Sequence, residues 1–122
     1  MSLHVLVVED DDLLRPLTIE AVELLGFEVS SCTSADEALQ WLSRLRPALV
    51  ITDVQMPGRM DGLELAFLIT GKWPSLPIII TSGVALPIIT LPPGAAFLSK
   101  PASVEALHQL VHASLGTADP PD

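Results

Sequence analysis

Strand-length apolar runs alternate with helix-period segments along the whole of this chain. The first run, Leu3–Val8, is almost wholly apolar and rich in valine, which is typical of a strand buried on both faces. The other runs of this kind are Phe27–Cys32, Ala48–Thr52, Pro77–Thr81 and Ala95–Ser99. Strands that alternate with helices in this rhythm predict a parallel sheet with right-handed crossovers and with helices on both faces.

The first two helices have recognisable start and stop signals. Asp11 or Asp12 is expected to cap a helix whose leucines recur at helical spacing, and Gly26 to stop it. Ser34 begins the second helix in a capping-box pattern, and this helix is expected to run to about Arg46, just before a proline.

The last two helices are predicted from the same kinds of signal. One runs from Gly62 or Leu63 to about Thr70, with Gly71 as its stop, and the other runs from the cap Ser103 to about Leu115. The 122 residues are the size of one domain. We therefore expect a single folded unit over residues 1–116 and a frayed tail over residues 117–122.

Composition and charge narrow the function classes. Apolar residues make up 49% of the chain and charged residues 17%, which is enough to build a core and argues against disorder. The net charge of −9 repels a phosphate backbone, and no basic stripe offsets it. Direct nucleic-acid binding is therefore not expected, whereas a cation site or a partner with a basic face fits the charge.

The cysteine count and the apolar run lengths predict the compartment. The single cysteine, Cys32, cannot form an internal disulfide, and its neighbours indicate a buried strand position. No apolar run approaches the length needed to span a bilayer, and no basic segment precedes an apolar one at the start. We expect a cytoplasmic protein with no membrane association.

Residues that can carry chemistry follow the predicted strands. In open parallel sheets the site lies outside the carboxyl ends of the strands. Any one of these residues could be ordinary, as a helix cap, a turn residue or a solvated lysine, but their joint placement at four strand ends points to Mg²⁺ and phosphoryl chemistry. These residues are Glu9, Asp10, Asp11, Asp53, Thr81 and Lys100.

Five ordered motifs give the chain a family resemblance over its whole length. It resembles the receiver domain of bacterial response regulators, on the motifs Val7–Asp11, Asp53–Pro57, Met60–Gly62, Thr81–Gly83 and Phe97–Pro101. The resemblance implies an α/β flavodoxin-like fold with a doubly wound, five-stranded parallel sheet in the order 2-1-3-4-5.

The resemblance also implies a chemistry for the strand ends. Asp53 would be the phosphoacceptor, and a sensor histidine kinase or a histidine phosphotransfer protein would be the donor. Glu9, Asp10, Asp53 and the backbone carbonyl of Gln55 would surround Mg²⁺, with Glu9 acting through water. The protein would then be a switch in a two-component phosphorelay rather than a turnover enzyme.

The remaining family positions would bind the phosphoryl group and respond to it. Lys100 would pair with the phosphoryl oxygens, placed by a cis peptide bond to Pro101. Thr81 would move to hydrogen-bond the phosphoryl group, and Phe97 would follow it inward, so that phosphorylation shifts a population. Phe97 has a plainer alternative as a core residue.

Two stretches depart from the family pattern. The loop Pro57–Gly62 is one residue longer than the common form, for which we expect a local bulge. The segment Ser82–Gly94 contains three prolines where the family has a helix of several turns, so we expect that helix to be shortened or lost. Its apolar residues either cover the core, which we favour, or form an exposed docking patch.

Alternative functions stay open at this point. The chain could be a stand-alone or excised domain, or the receiver module of a larger hybrid sensor kinase, and it could form a homodimer. A Mg²⁺-dependent phosphohydrolase would use Asp53 as a nucleophile, but Gln55 occupies the position of the acid/base Asp in such enzymes and cannot transfer a proton. A pure binding module is disfavoured by the intact Asp53, Thr81 and Lys100. For the switch, we expect output through protein–protein interaction with a downstream protein.

Overall fold

The structure is a computed structural model that describes residues 3–56, 58–84 and 91–116. The described residues form five strands and four helices. In chain order these are β1 (His4–Val8), α1 (Leu14–Glu23), β2 (Glu28–Cys32), α2 (Ala35–Leu42), β3 (Leu49–Asp53), α3 (Gly62–Lys72), β4 (Ile78–Ser82), β5 (Ala96–Ser99) and α4 (Val104–Leu115). The prediction of alternating strands and helices is confirmed.

The five strands form one parallel sheet in the order β2-β1-β3-β4-β5. The order reverses between β1 and β3, so a crevice is expected above their carboxyl ends. Val8 pairs with Thr52 across β1 and β3, and Asp53 pairs with Thr81 across β3 and β4. The register therefore brings the ends of the three central strands to one edge of the sheet.

Helices cover both faces of the sheet. Alternate residues of the central strands point to opposite faces, since side chains in a strand alternate with a period of two. On one face Val7, Ile51 and Ile79 pack in a buried cluster with residues of α1 and α4. On the other face Val50 and Ile80 pack in a second cluster with residues of α2 and α3. The central strands are thus buried from both sides, as their unbroken apolar sequences predict.

Helix α2 ends earlier than the sequence predicts. It stops at Leu42 rather than at about Arg46. Two side chains satisfy carbonyl groups at this end, because Ser43 Oγ donates to the Gln40 carbonyl and the Arg46 guanidinium donates to the Leu42 carbonyl. Pro47 also disfavours helical backbone at the residue before it. The helix therefore ends before its apolar pattern does.

Helix α3 extends beyond its predicted stop. Gly71 lies inside the helix, which continues to Lys72 and has Trp73 as its C-cap. Trp73 has φ −135° and ψ 74°, a non-helical conformation, and Pro74 follows it. Because a proline displaces the preceding residue from helical backbone, Pro74 ends this helix rather than Gly71.

The predicted starts of α2, α3 and α4 are confirmed, whereas α1 begins at Leu14 with Leu13 as its N-cap residue, so neither Asp11 nor Asp12 is at the N-cap position. Asp11 Oδ1 accepts hydrogen bonds from the N–H groups of Leu13 and Leu14, at 2.8 Å and 3.0 Å. Ser34 Oγ accepts from Glu37 N–H and Ser103 Oγ from Ala106 N–H. These contacts satisfy donors that have no partner within their own helices.

Between β4 and β5 no helix occurs among the described residues, and α4 follows β5 directly. Val84 is exposed, whereas Leu91 packs against the cluster beneath α2 and α3. Residues 85–90 lie outside the described part, as do Pro57 in the longer loop and the tail 117–122 for which fraying is predicted. None of the described helices is long and apolar enough to cross a membrane.

Candidate functional site

The carboxyl edge of the sheet gathers the predicted residues. Glu9 and Asp10 follow β1, Asp53 ends β3, Thr81 lies in β4 and Lys100 follows β5. A groove of about 750 Å³ between α1, α4 and this edge is lined by four of them, namely Glu9, Asp53, Thr81 and Lys100.

Three carboxylates form a cluster that could hold a cation. Glu9, Asp10 and Asp53 each offer an oxygen atom, and these atoms all lie within 4.8 Å of one another. Glu9 and Asp53 are buried. Oxygen ligands in this number suit Mg²⁺, which keeps its other coordination positions for water or phosphate oxygens. The donor set therefore fits a hard divalent cation.

Lys100 reaches two members of this cluster. Its Nζ lies 2.8 Å from Glu9 Oε1 and 3.2 Å from Asp53 Oδ2. Burial by itself would lower the pKa of Lys100, but the hydrogen bond to Glu9 and the negative charges of Asp53 and Glu9 outweigh it and raise the pKa above its usual value. The ammonium group is therefore charged at neutral pH.

The Glu9 carboxylate is held through both of its oxygens. Oε1 accepts from Lys100, and Oε2 accepts from the Asp11 N–H at 3.2 Å. The Glu9 N–H in turn donates to the Cys32 carbonyl at 3.0 Å, which continues the pairing of β1 with β2. A buried carboxylate needs partners of this kind, since an unpaired buried charge is costly. Glu9 is thus fixed in position at the base of the site.

Asp53 has a closely packed backbone. The Thr52 hydroxyl, which is fully buried, donates to the Asp53 carbonyl at 3.0 Å. Gly62 lies against the same carbonyl, because a Cβ atom built on it would be 1.7 Å from the Asp53 oxygen. The Gly62 N–H also donates to the Val54 carbonyl at 2.9 Å. The start of α3 therefore packs directly on the backbone of Asp53.

Thr81 is placed beside Asp53 by the strand register. The two residues pair across β3 and β4, and the Val54 N–H donates to the Thr81 carbonyl at 2.9 Å. The Thr81 hydroxyl donates to the Thr52 carbonyl at 3.4 Å. This long bond leaves the hydroxyl a weakly held donor at the edge of the groove.

Three further predicted positions are Gln55, Phe97 and the peptide bond before Pro101. Gln55 is exposed in the loop after β3. Phe97 is half-buried and packs against the core cluster beneath α2 and α3, which is also the arrangement of a plain core residue. The Lys100–Pro101 peptide bond is cis, and the Lys100 N–H donates to the Ser82 carbonyl at 2.8 Å.

Three contacts of the site were not foreseen from the sequence. These are the Thr52 hydroxyl, the packing of Gly62 and the guanidinium of Arg15, which donates to the carbonyl groups of Glu9 and Asp10. The sequence indicates one of the Arg15 contacts, because a spacing of three residues from Asp12 is typical of an ion pair at a helix. The Arg15 contacts with backbone carbonyls have no such signal.

Fold and site together define the class of the protein. A doubly wound sheet in this strand order, with an acidic cluster and a lysine at its carboxyl edge, is the arrangement that the sequence motifs predict. The sequence profile of the response regulator receiver domain family matches residues 5–112, and the chain belongs to this family. Receiver domains are parts of two-component signalling systems.

Individual relatives agree with this assignment. The C4-dicarboxylate transport transcriptional regulatory protein DctD of Rhizobium meliloti is 39% identical over 109 residues, which cover 86% of this chain and 24% of DctD. The response regulator protein FleR of Pseudomonas aeruginosa is 40% identical over 115 residues, which cover 91% of this chain and 24% of FleR. The chain thus spans about a quarter of the length of both regulators.

Solved structures show the same fold. The receiver domain of NtrX from Brucella abortus superimposes with a TM-score of 0.85 at 29% identity, over 93% of this chain and 99% of that domain. The signal receiver domain of a signal transduction histidine kinase from Syntrophus aciditrophicus gives a TM-score of 0.84 at 26% identity, over 99% of this chain and 96% of that one.

Proposed function

We propose that this receiver domain is a phosphoacceptor switch in which Asp53 takes the phosphoryl group. The observation that carries the proposal is the position of the Asp53 carboxylate, which lies in one cluster with Glu9 and Asp10 and 3.2 Å from the Lys100 ammonium. The donor would be a phosphohistidine of a sensor histidine kinase or a histidine phosphotransfer protein. The output would be a changed interaction with a downstream protein.

Mg²⁺ is the cofactor that the donor set favours. Carboxylate oxygens of Glu9, Asp10 and Asp53 would hold it, Glu9 through a water, together with the backbone carbonyl of Gln55. When bound, the ion neutralises charge on the phosphoryl oxygens. The carboxylates bring negative charge to a site that must receive a negative group, so a divalent cation is needed to balance them.

Phosphoryl transfer uses Asp53 as the nucleophile. One oxygen of its carboxylate bonds to phosphorus while the bond from phosphorus to the donor imidazole nitrogen breaks, and the electron pair of that bond goes to the nitrogen. Lys100 would exchange its contact with Asp53 for the phosphoryl oxygens, and the Thr81 hydroxyl would leave the Thr52 carbonyl to donate to them.

Readout would follow from the movement of Thr81. Phe97 lies on β5, beside β4, and packs against the core. Its inward movement with Thr81 would change the surface near the segment between β4 and β5. Water that attacks the phosphorus atom would break its bond to Asp53, release inorganic phosphate and leave a free carboxylate, which resets the switch. In this proposal the phosphorylated state itself carries the signal, so the protein acts as a switch rather than as a turnover enzyme.

Intact-mass spectrometry tests this proposal with a small phosphodonor. Incubation with acetyl phosphate and Mg²⁺ is expected to add one phosphoryl group to the wild-type protein, and none when a chelator removes the cation. Asp53→Asn should remove the adduct, because an amide does not attack phosphorus at a comparable rate. Asp61→Asn, a change to an Asp in the loop nearby, serves as the control and should keep it. The absence of any adduct on the wild-type protein with Mg²⁺ would contradict the proposal.

A further inference from the structure

The side chain of Arg15 connects three residues of the acidic loop after β1, namely Glu9, Asp10 and Asp12. Its Nη1 donates to the Glu9 carbonyl at 3.2 Å and to the Asp10 carbonyl at 3.5 Å, and its Nη2 donates to Asp12 Oδ1 at 2.8 Å. The Arg15 side chain is 20% exposed, whereas that of Asp12 is 92% exposed. Two of these three contacts are with backbone carbonyls of the loop after β1, and the third is with an exposed carboxylate.

The loop that Arg15 contacts carries two of the three carboxylates of the cluster. Asp11 restrains the same loop, because it donates its N–H to Glu9 Oε2 and accepts from Leu13 and Leu14 through its own carboxylate. The N–H groups of Leu14 and Leu13 lower the pKa of Asp11, so its carboxylate stays charged. Arg15 lies in the first turn of α1 and so joins the helix to the loop.

We propose that Arg15 is a positioning residue for the cation site. By holding the carbonyl groups of Glu9 and Asp10, its guanidinium fixes the backbone from which the two carboxylates project. The guanidinium presents its donors in a rigid planar fork on two terminal nitrogens, whereas an ammonium group offers a single nitrogen on a flexible stem and so fixes the geometry of its acceptors less well. This inference rests on the proposed metal site, and it assigns Arg15 no contact with the cation or the phosphoryl group.

Loss of the charge of Arg15 and loss of its positioning contacts would change Mg²⁺ affinity in opposite directions. Arg15 is a cation close to a site for another cation, so its removal would strengthen Mg²⁺ binding if only Coulomb repulsion mattered. Loss of a positioning contact would weaken Mg²⁺ binding, and groups that orient metal ligands typically contribute about tenfold or more to affinity. The sign of the change therefore separates the two effects.

Two variants and one control test the inference. Arg15→Met removes both the charge and the donors, and Arg15→Lys keeps the charge but not the planar arrangement of donors. Arg44→Met removes an equal charge from an exposed arginine after α2. Isothermal titration calorimetry measures Mg²⁺ affinity for each protein. Amide hydrogen exchange without metal measures the loop itself at Leu13 and Leu14, with Ile51 in β3 as the measure of an intact core.

The expected result is roughly tenfold weaker Mg²⁺ binding for Arg15→Met and a smaller loss for Arg15→Lys. Exchange at Leu13 and Leu14 should be faster in the metal-free variants, with Ile51 unchanged. If Arg15→Met does not fold, the Mg²⁺ affinity and the amide exchange of Arg15→Lys test the inference. Affinity that is unchanged or tighter, or wild-type exchange at Leu13 and Leu14, would overturn the inference. Failure of the wild-type protein to bind Mg²⁺ would instead contradict the proposed function, and the exchange rates would still decide whether Arg15 holds the loop.

Discussion

The Lys100 ammonium lies 2.8 Å from Glu9 and 3.2 Å from Asp53. Without it, two buried carboxylates and the neighbouring Asp10 would face one another, and no other ion pair to the carboxylates of Glu9 and Asp53 is present among the described residues. Breaking a buried ion pair by removing one partner is strongly unfavourable. Lys100 therefore balances part of the negative charge of the cluster and holds two of its carboxylates together.

At the residue scale, Gly62 should be intolerant of any side chain. A Cβ atom in Gly62→Ala would lie 1.7 Å from the Asp53 carbonyl oxygen and 2.7 Å from its carbon, so backbone must move. We expect the free energy of unfolding to fall by about 1–3 kcal/mol, the usual range for overpacking, and phosphorylation of Asp53 to slow. Denaturant titration and intact-mass time courses measure the two effects.

Gly71→Ala is the matched control for this substitution. Gly71 lies in the same helix and has no heavy atom within 4 Å of a built Cβ. Alanine there should raise the free energy of unfolding by about 0.5–1 kcal/mol, since glycine is the poorer helix former. Equal effects of the two substitutions would show that Gly62 is not packed as described.

Cys32 gives a prediction for alkaline pH. Burial, with a smaller contribution from the charge of Glu37, raises the pKa of its thiol from 9.0 to about 11. The folded protein thus keeps a proton that the unfolded chain loses, so stability is fully present below pH 9.0 and falls as pH rises towards 11. The chain has no tyrosine, and the raised pKa of Lys100 delays its own titration beyond 10.5.

The measurement is the free energy of unfolding of the wild-type protein and of Cys32→Ala between about pH 9 and pH 10.5, the interval bounded by the two ordinary pKa values. We expect the slope of this free energy against pH to be shallower in the variant, because the variant lacks the group that titrates there. Parallel slopes would contradict the effect of burial on this thiol.

The sequence predicted which residues meet at the site but not how they contact one another. Asp53, Thr81 and Lys100 could be placed because parallel strands end at one edge. The hydrogen bond from Lys100 to Glu9 joins residues that are ninety-one positions apart in the chain, and it depends on how the two side chains are oriented in the folded protein. The Arg15 contacts go to backbone carbonyls, which every residue carries, so no residue type marks them in a sequence.

At the scale of elements, strands were predicted more closely than helix ends. Buried strands are marked by unbroken apolar runs, and turns bound them. The predicted ends of α2 and α3 were wrong because contacts near each helix end decide where it stops. The Arg46 side chain donates to the Leu42 carbonyl at the end of α2, and Pro74 rather than Gly71 ends α3. A glycine can stay in helical backbone wherever nothing requires a positive φ, as Gly71 does.

The cap of α4 gives a prediction at this scale. Ser103 Oγ accepts from the Ala106 N–H at 3.0 Å. Ser103→Ala should lower the free energy of unfolding by about 1 kcal/mol, since that N–H loses its partner. Ser114→Ala makes the same change inside α4, where alanine is the better helix former, and should not destabilise the protein. Denaturant unfolding of both variants checks the difference in sign, and equal destabilisation would argue against the cap.

At the scale of the whole molecule, the net charge of −9 and the acidic cluster favour cation binding. A ligand that binds only the folded state stabilises it, by about 2.7 kcal/mol at a hundred times its dissociation constant. Mg²⁺ should therefore raise the midpoint of thermal unfolding of the wild-type protein beyond the effect of a monovalent salt at equal ionic strength. Asp10→Asn, which removes one carboxylate of the cluster, should reduce the difference, and an equal rise in this variant would place the cation elsewhere.

The proposed switch also needs an output surface, and the segment between β4 and β5 is the part of the sequence that departs most from the family pattern. Its described residues form no helix, and Val84 is exposed near Gly83, which lines the groove at the site. We propose that this region reports the state of Asp53 to a protein partner. The proposed phosphorylation site keeps the family motifs, whereas the sequence between β4 and β5 departs from them.

Chemical mapping of the phosphorylated residue tests the central claim most directly. After reaction with acetyl phosphate and Mg²⁺, borohydride reduces an acyl phosphate on an aspartyl side chain to the alcohol, which peptide mass spectrometry can locate. We predict that the reduced residue is at position 53 and that Asp53→Asn yields no reduced peptide. Reduction at Glu9, Asp10 or any other carboxylate of the wild-type protein, with position 53 unmodified, would contradict the account.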